Sequence, residues 1–390
     1  MTASGTWRTE AGLFARHDRG QALLVYSPFT GLLFAVPEID RKKTVSWLEQ
    51  RSQAAPSPQY LRSLGAGWCI APEDERYPTP HELGGPDAFP ASPLPTRPLV
   101  INWLLTARCP LACRYCDAGD MLGCEEPSIS TIERTARAIL KLNPLAVVLT
   151  GGEPLASPHL ERALALLRGR AGMIVDTSGF VAKSEHLRLF RSLGVALRIS
   201  LDSERPKVND GYRKVHSVGL KGDVESQSSL RSALSVLCEA IDLGLCVTVQ
   251  SVASSHNLAG LEPLGDKLYR LGVRSWRILK VQRSLGKEEY YEELVGAQKR
   301  YKYYFGQLEK ARRTRWGEKM ALQITYNSVL NAVVLVAPDG SFLTESDRGH
   351  GKIVLDQDRP RSPRIRAIFP RVNSQAHAAR YLNATLQQGM

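Results

Sequence analysis

From residue 99 onward, short apolar runs alternate with stretches whose apolar positions return every three or four residues. The runs at 99–105, 146–149, 173–176, 196–201, 246–252 and 275–281 predict strands. The stretches at 129–142, 158–168, 184–193, 230–243 and 258–271 predict amphipathic helices. Strands that alternate with helices imply parallel pairing through right-handed crossovers, an α/β class. Before this region, 21–26 and 32–36 flank the turn Ser27-Pro-Phe-Thr-Gly31 and predict a hairpin, followed by helices over 38–49 and 58–64. Residues 72–98 carry too many prolines and glycines for helix or central strand. Near the C-terminus, Pro338-Asp339-Gly340 divides two apolar runs and predicts a second hairpin. The organisation expected is an N-terminal α+β module (1–71), a Pro-rich linker (72–98), a (β/α)6 region (99–285) and a C-terminal helical and hairpin extension (286–390).

Composition narrows this picture. The 390 residues are 43% hydrophobic and 23% charged, as in ordinary globular chains. No run of membrane-spanning length occurs, and the N-terminus lacks the hydrophobic core of a signal peptide, so a cytoplasmic location is expected. The net charge is +12, with basic residues densest at 299–315 and 359–371. A solvated helix face and a basic tail account for both stretches, and nucleic acid is not an expected partner.

The chemistry concentrates at Cys109-Pro-Leu-Ala-Cys113-Arg-Tyr115-Cys116, directly after the first strand of the alternating region. Spacing alone admits a buried helix face or a zinc site. Against the first stand Pro110, Arg114, Asp117 and Asp120; against the second, the lack of a natural fourth ligand. Three thiolates would leave one iron of a cubane cluster with an open position. With seven cysteines in all, three of them clustered, a reducing compartment with metal chemistry fits better than a disulfide framework. Cys124 reads as a bystander. Thr150-Gly-Gly-Glu153-Pro closes the second strand, Asp176-Thr177-Ser-Gly the third, and Arg198-Ile-Ser200-Leu-Asp202 the fourth. Strand alternation puts Arg198, Ser200 and Asp202 on one side. Gln250, Ser251 and Asn257 after the fifth strand, and Lys280 and Gln282 at the sixth, complete the polar set, with Arg277 expected to face away from the last two.

The C-x3-C-x2-C triplet, with Tyr115 before its third cysteine and a Gly-Gly-Glu turn one β/α unit later, resembles the radical S-adenosylmethionine (SAM) enzymes. The resemblance covers about half the chain and implies a partial (β/α)6 TIM-like barrel, with its site at the C-terminal ends of the strands. It implies one 4Fe–4S cluster held by Cys109, Cys113 and Cys116, and SAM seated by Gly151, Gly152, Glu153, Thr177, Ser200, Asp202 and Tyr115. Backbone carbonyls and Glu153 would accept from the SAM ammonium group, and Asp202 would contact substrate. Arg213 lies where many relatives carry an arginine. The activity implied is reductive cleavage of SAM to a 5′-deoxyadenosyl radical, supplied with electrons by a flavodoxin- or ferredoxin-type donor. Peptide-modifying relatives often carry auxiliary clusters in a cysteine-rich C-terminal domain. Here Thr344 stands where that domain would open, and no cysteine follows Cys246. The N-terminal module is loosely similar to peptide-recognition elements. The expected function is therefore radical modification of a peptide or protein, as in natural-product maturation. A small-molecule or nucleotide substrate, as in viperin-like members, and an idle iron–sulfur partner protein are the alternatives. Removing residues 1–70 is expected to spare SAM cleavage and to lose peptide modification.

Overall fold

The computed structural model describes residues 97–216, 227–282, 287–325 and 332–345 without a break, together with four N-terminal strands and residues 42, 45, 352–354, 372 and 377. The segment expected as a linker, and most of the two helices before it, lie outside the described residues.

The N-terminal strands β1 (Thr6–Arg8), β2 (Phe14–His17), β3 (Leu23–Ser27) and β4 (Leu32–Val36) form an antiparallel sheet in sequence order. The expected hairpin is its β3–β4 half. The main chain then supplies β5 (Val100–Leu104), β6 (Leu111–Cys113), β7 (Ala146–Thr150), β8 (Gly172–Thr177), β9 (Ala196–Ser200), β10 (Arg213–Val215), β11 (Val247–Ala253) and β12 (Ser275–Lys280). It ends in β13 (Ala321–Thr325), β14 (Val334–Val336), β15 (Phe342–Glu345) and β16 (Lys352–Val354).

Of β5 through β16, all but the two short strands β6 and β10 join one sheet, ordered β13-β12-β11-β9-β8-β7-β5-β14-β15-β16. From β13 through β14 every pairing is parallel. The six strands predicted for the barrel are all present and in the expected order. The chain after 285 does more than extend: β13 pairs with β12 on one flank and β14 with β5 on the other, so the parallel sheet runs past the predicted boundary on both sides. Among the described residues the sheet does not close on itself.

Helices α1 (Ile129–Lys141), α2 (Leu160–Leu167), α3 (Ser184–Leu193), α4 (Pro206–Tyr212), α5 (Ser229–Asp242), α6 (Leu261–Arg270), α7 (Glu288–Val295) and α8 (Gln298–Ala311) connect these strands. None among the described residues is long and apolar enough to cross a membrane. Strand alternation divides the sheet residues in two. Trp103, Val147, Leu149, Val175, Leu197, Ile199, Val249, Trp276 and Ile278 pack with the apolar stripes of α1, α2, α3, α5, α6 and α8 in one continuous core. On the other side, at the N-terminal ends of the strands, Val100, Ala146, Val148, Ile174 and Ala196 pack with Phe14, Leu24 and Tyr26 of the N-terminal sheet. Arg16 joins that face, buried, its Nη1 donating to the carbonyls of Pro98 (3.2 Å) and Asn143 (2.5 Å). The N-terminal sheet thus seals the floor of the half-barrel, and the polar residues are left at the opposite end.

Candidate functional site

A cavity of about 290 Å³ opens at the C-terminal ends of the parallel strands, lined by the loops after β5, β7 and β8 and by inward residues of β9, β11 and β12. Cys109, Cys113 and Cys116 all face it, as do Gly151, Gly152, Glu153, Thr177, Ser200 and Tyr115. Sequence reasoning had brought these residues together, and the fold converges them.

The loop after β5 is held from two sides. On one, Arg114 N donates to Tyr212 O (3.1 Å), His216 N donates to Pro110 O (2.7 Å), and β6 pairs antiparallel with β10, setting Cys113 opposite Arg213. On the other, Gly152 N donates to Thr106 O (2.8 Å) and Glu153 N to Arg108 O (2.7 Å). Here the glycines answer to geometry. Gly151 has φ +135°, and a Cβ there would lie 2.5 Å from Thr106 O; one on Gly152 would lie 2.1 Å from Arg108 O. Close approach of one loop to another demands both glycines, where the sequence suggested approach to a ligand.

The Glu153 carboxylate departs from expectation. It is buried and filled by the chain itself. The Thr177 hydroxyl donates to Oε1 (2.6 Å), Leu155 N to Oε1 (3.2 Å), and Ser178 N and Oγ to Oε2 (2.8 and 2.5 Å). Burial pushes its pKa up while these donors pull it down, and burial wins. Its side chain braces the ends of β7 and β8 against each other, so it is not a ready acceptor for a ligand's ammonium group.

Asp202 departs further. Expected at the cavity, it is wholly buried behind the cavity wall, because β9 ends at Ser200 and alternation stops there. Its Oδ2 accepts from Arg213 Nε (2.7 Å) and from the Tyr115 hydroxyl, and its Oδ1 from Val252 N (2.7 Å). Asn257 Nδ2 donates to its backbone carbonyl (3.0 Å). Asp202 is the hub that aims Tyr115 and Arg213, both of which do line the cavity. Burial opposes the charge on Arg213, but the Asp202 carboxylate overrides it and holds the guanidinium ionised. Asn257 and Ser251 are likewise internal: Ser251 Oγ donates to Leu201 O and accepts from Trp276 Nε1 (2.9 Å). Gln250, Lys280 and Gln282 reach the cavity, and so does Arg277, read from the sequence as pointing the other way. Asn102, which the sequence reading passes over, and Asp176, which it quotes only as the start of the third-strand motif, lie on inward positions of β5 and β8. Alternation from Leu104 and Ser178 would have found them.

Burial raises all three thiols, Cys116 to about 12, and the Arg213 guanidinium counters it at Cys113. Mutual electrostatic influence of Cys113 on both other cysteines follows from their shared cavity. Among the described residues no three His, Cys, Asp or Glu side chains converge closely enough to share a single metal ion. Three thiols around one cavity, with no fourth protein ligand named beside them, could hold three irons of a cubane cluster. Cys124 is exposed and outside the cavity lining.

The sequence model of the radical SAM superfamily matches residues 103–223, which span the cysteine loop, the glycine turn and Arg213. Residues 103–223 belong to the radical SAM superfamily. The cofactors of that superfamily are a 4Fe–4S cluster and SAM. Among curated proteins, the chain is 29% identical over 205 residues to a PqqA peptide cyclase of Ruegeria pomeroyi, covering 50% of this chain and 51% of that protein. It is 33% identical over 153 residues to a GTP 3′,8-cyclase of a Synechococcus strain, covering 37% and 42%. The chain thus spans about half the length of the curated relatives it matches. Among solved structures, Streptococcus suis SuiB bound to its precursor peptide SuiA superposes with a TM-score of 0.55 at 10% identity, over 86% of this chain and 82% of that one, a likeness of fold.

Proposed function

We propose that this chain reductively cleaves SAM and uses the resulting radical to modify a peptide or protein substrate. The observation that carries the reading is the meeting of three cysteines and a two-glycine strap at one cavity on the C-terminal side of a parallel sheet. Cys109, Cys113 and Cys116 would hold three irons of the cluster. The backbone of Gly151 and Gly152, with Thr177, Ser200 and Tyr115, would seat SAM. Glu153 and Asp202 would act as positioning residues. When bound, the cluster and SAM supply a one-electron cleavage that releases methionine and a 5′-deoxyadenosyl radical, which takes a hydrogen atom from the substrate. The electron would come from a flavodoxin- or ferredoxin-type protein.

The peptide substrate is supported by the relative named for cyclising the PqqA peptide and by the fold shared with a peptide-bound enzyme. In this reading residues 1–71 form a module at which a leader peptide would add a strand beside β1 or β4, the outer strands of the N-terminal sheet. The GTP cyclase relatives favour a second reading, a nucleotide substrate. Anaerobic reconstitution and reduction should release 5′-deoxyadenosine. Co-expression with short peptides encoded beside its gene should give a peptide of changed mass. Consumption of GTP with every peptide unchanged would overturn the first reading in favour of the second. No deoxyadenosine under any condition would overturn both.

A further inference from the structure

We infer that the outer face of α8 holds an acidic, extended segment of the peptide substrate and leads it to the mouth of the cavity. This rests on the peptide reading above and names the chemistry of the peptide outside its reacting part. Tyr301, Phe305, Leu308 and Ala311 of α8 are buried against the barrel. At about 3.6 residues per turn, Lys299, Lys302, Tyr303, Gly306 and Lys310 fall on the opposite side, and all five are exposed. Arg313, in the turn that follows, is exposed as well. The helix starts at the cavity: Lys280, which lines it, donates from Nζ to Gln298 Oε1. It leads toward β13, whose Ala321 N donates to Arg274 O (2.8 Å) at the N-terminal ends of the strands. The exposed ridge therefore runs about 21 Å, from the mouth of the half-barrel toward its floor.

The cations of the ridge lack counter-charges. Among the described residues no carboxylate pairs with Lys299, Lys302, Lys310 or Arg313. The acids around them are taken: Glu309 by Arg312 (2.9 Å), and Glu262 and Asp266 of the neighbouring α6 by Arg315. On α7, Glu293 pairs with Arg114 (2.6 Å), and Glu289 and Glu292 pair with none of the four. Gly306 adds a second observation. Glycine weakens a helix interior, yet no packing requires it here, since a Cβ would meet nothing within 4 Å. It leaves a notch where an extended backbone can lie close to the helix. Tyr303, 61% exposed at the edge of that notch, offers an aromatic surface beside it. A line of unpaired cations complements a line of carboxylates. An extended chain rises about 3.3 Å per residue, so about six residues span the ridge. A folded acidic partner fits less well. A specific interface covers about 800 Å² on each side, far more than one ridge about 10–12 Å wide offers.

The test uses the full-length, reconstituted protein and fluorescence anisotropy at low salt. The probes are dye-labelled hexaglutamate, its hexaglutamine counterpart and a thymidine oligonucleotide of the same charge. Hexaglutamate should bind at least about tenfold more tightly than hexaglutamine, the scale of several exposed ion pairs acting together. Lys302→Gln, Lys310→Gln and Arg313→Gln combined should abolish that preference. An equal loss of exposed charge on α1 and α3, by Lys141→Gln, Arg188→Gln and Arg191→Gln, should leave most of it. Equal binding of the two peptides by the unaltered protein overturns the inference without recourse to any variant. So does a preference that survives the α8 substitutions, or one lost equally with those on α1 and α3, which would assign it to net charge alone. Tighter binding of the oligonucleotide than of hexaglutamate overturns it in favour of a nucleic-acid surface. No reductant and no turnover enter the measurement. A failure of peptide turnover therefore bears on the proposed function, and a failure of the glutamate preference on this inference.

Discussion

At the scale of single residues, the site is organised by two buried carboxylates, Glu153 and Asp202, whose oxygens are taken up by donors of the chain itself. Removing Asp202 leaves the Arg213 guanidinium buried beside no counter-charge, a loss of about 3–5 kcal/mol. Asp202→Ala should therefore lower urea stability by that order, while Arg213→Met paired with Asp202→Leu should recover much of it. A double variant as unstable as Asp202→Ala would mean the aspartate matters for its backbone contacts instead. Gly152→Ala puts a methyl where Arg108 O already stands, 2.1 Å away. The strap must shift, so calorimetry should show SAM binding weakened at least about tenfold, or about 1.4 kcal/mol, with iron content retained. Unchanged affinity would remove the strap from the cofactor's seat. The sequence displayed these residues but not their orientation. Glu153 and Asp202 lie within polar motifs, and only the loop contacts beyond β7, for the first, and beyond β9, for the second, tell which way each carboxylate turns.

Among elements, α5 shows how one acid organises a helix start. Asp210 accepts from Ser228 Oγ (2.7 Å), Ser229 Oγ (2.8 Å) and Leu230 N (2.8 Å), and Ser228 caps the helix by accepting from Arg231 N (3.2 Å). Burial works to raise the Asp210 pKa, but these donors outweigh it and hold it below the ordinary 3.8. A depressed carboxylate contributes stability above its unfolded value and loses it as pH falls through the folded one. Asp210→Asn should thus be the less stable form at pH 7, by less than about 1 kcal/mol given its partial exposure. The two unfolding curves should merge at acid pH below 3.8. A gap of constant size would rule out the charge as its cause. The six barrel strands were legible because each is an apolar run bounded by turn residues. β13 was not, since Ala321-Leu-Gln-Ile-Thr325 follows a long helical stretch and mixes polar with apolar residues. β6 and β10 are three residues each, too short for any periodicity to register.

For the whole molecule, the seal beneath the half-barrel changes what a truncation does. Phe14, Leu24 and Tyr26 cover Val100, Ala146, Val148, Ile174 and Ala196, and the Tyr26 ring fills the space where Gly172 would carry a side chain. This packing argues against the expectation that residues 1–70 can be removed without harm to SAM cleavage. Their deletion should expose the floor of the sheet and give a protein that aggregates or binds a hydrophobic dye. Tyr26→Ala alone should cost about 3–5 kcal/mol, as large-to-small changes in a packed core do. A soluble, cooperatively melting 71–390 fragment would show that the sheet is dispensable to the fold. Apolar alternation made the hairpin readable, but the sequence gives no sign of which end of the barrel it closes.

The pairing of β6 with β10 bears on how the protein matures. Cys113 is set opposite Arg213, and Tyr115 is tied to Asp202, by contacts between amino acids alone. Small zinc-dependent modules fold around their ion, so that metal uptake and folding are one event. In this chain the cysteine loop is shaped by strand pairing and a buried ion pair that come with the rest of the fold. Delivery of iron and sulfide is then expected to be a late step: a purified protein stripped by a chelator should keep its melting transition and accept the cluster again, and loss of the transition along with the iron would overturn that order.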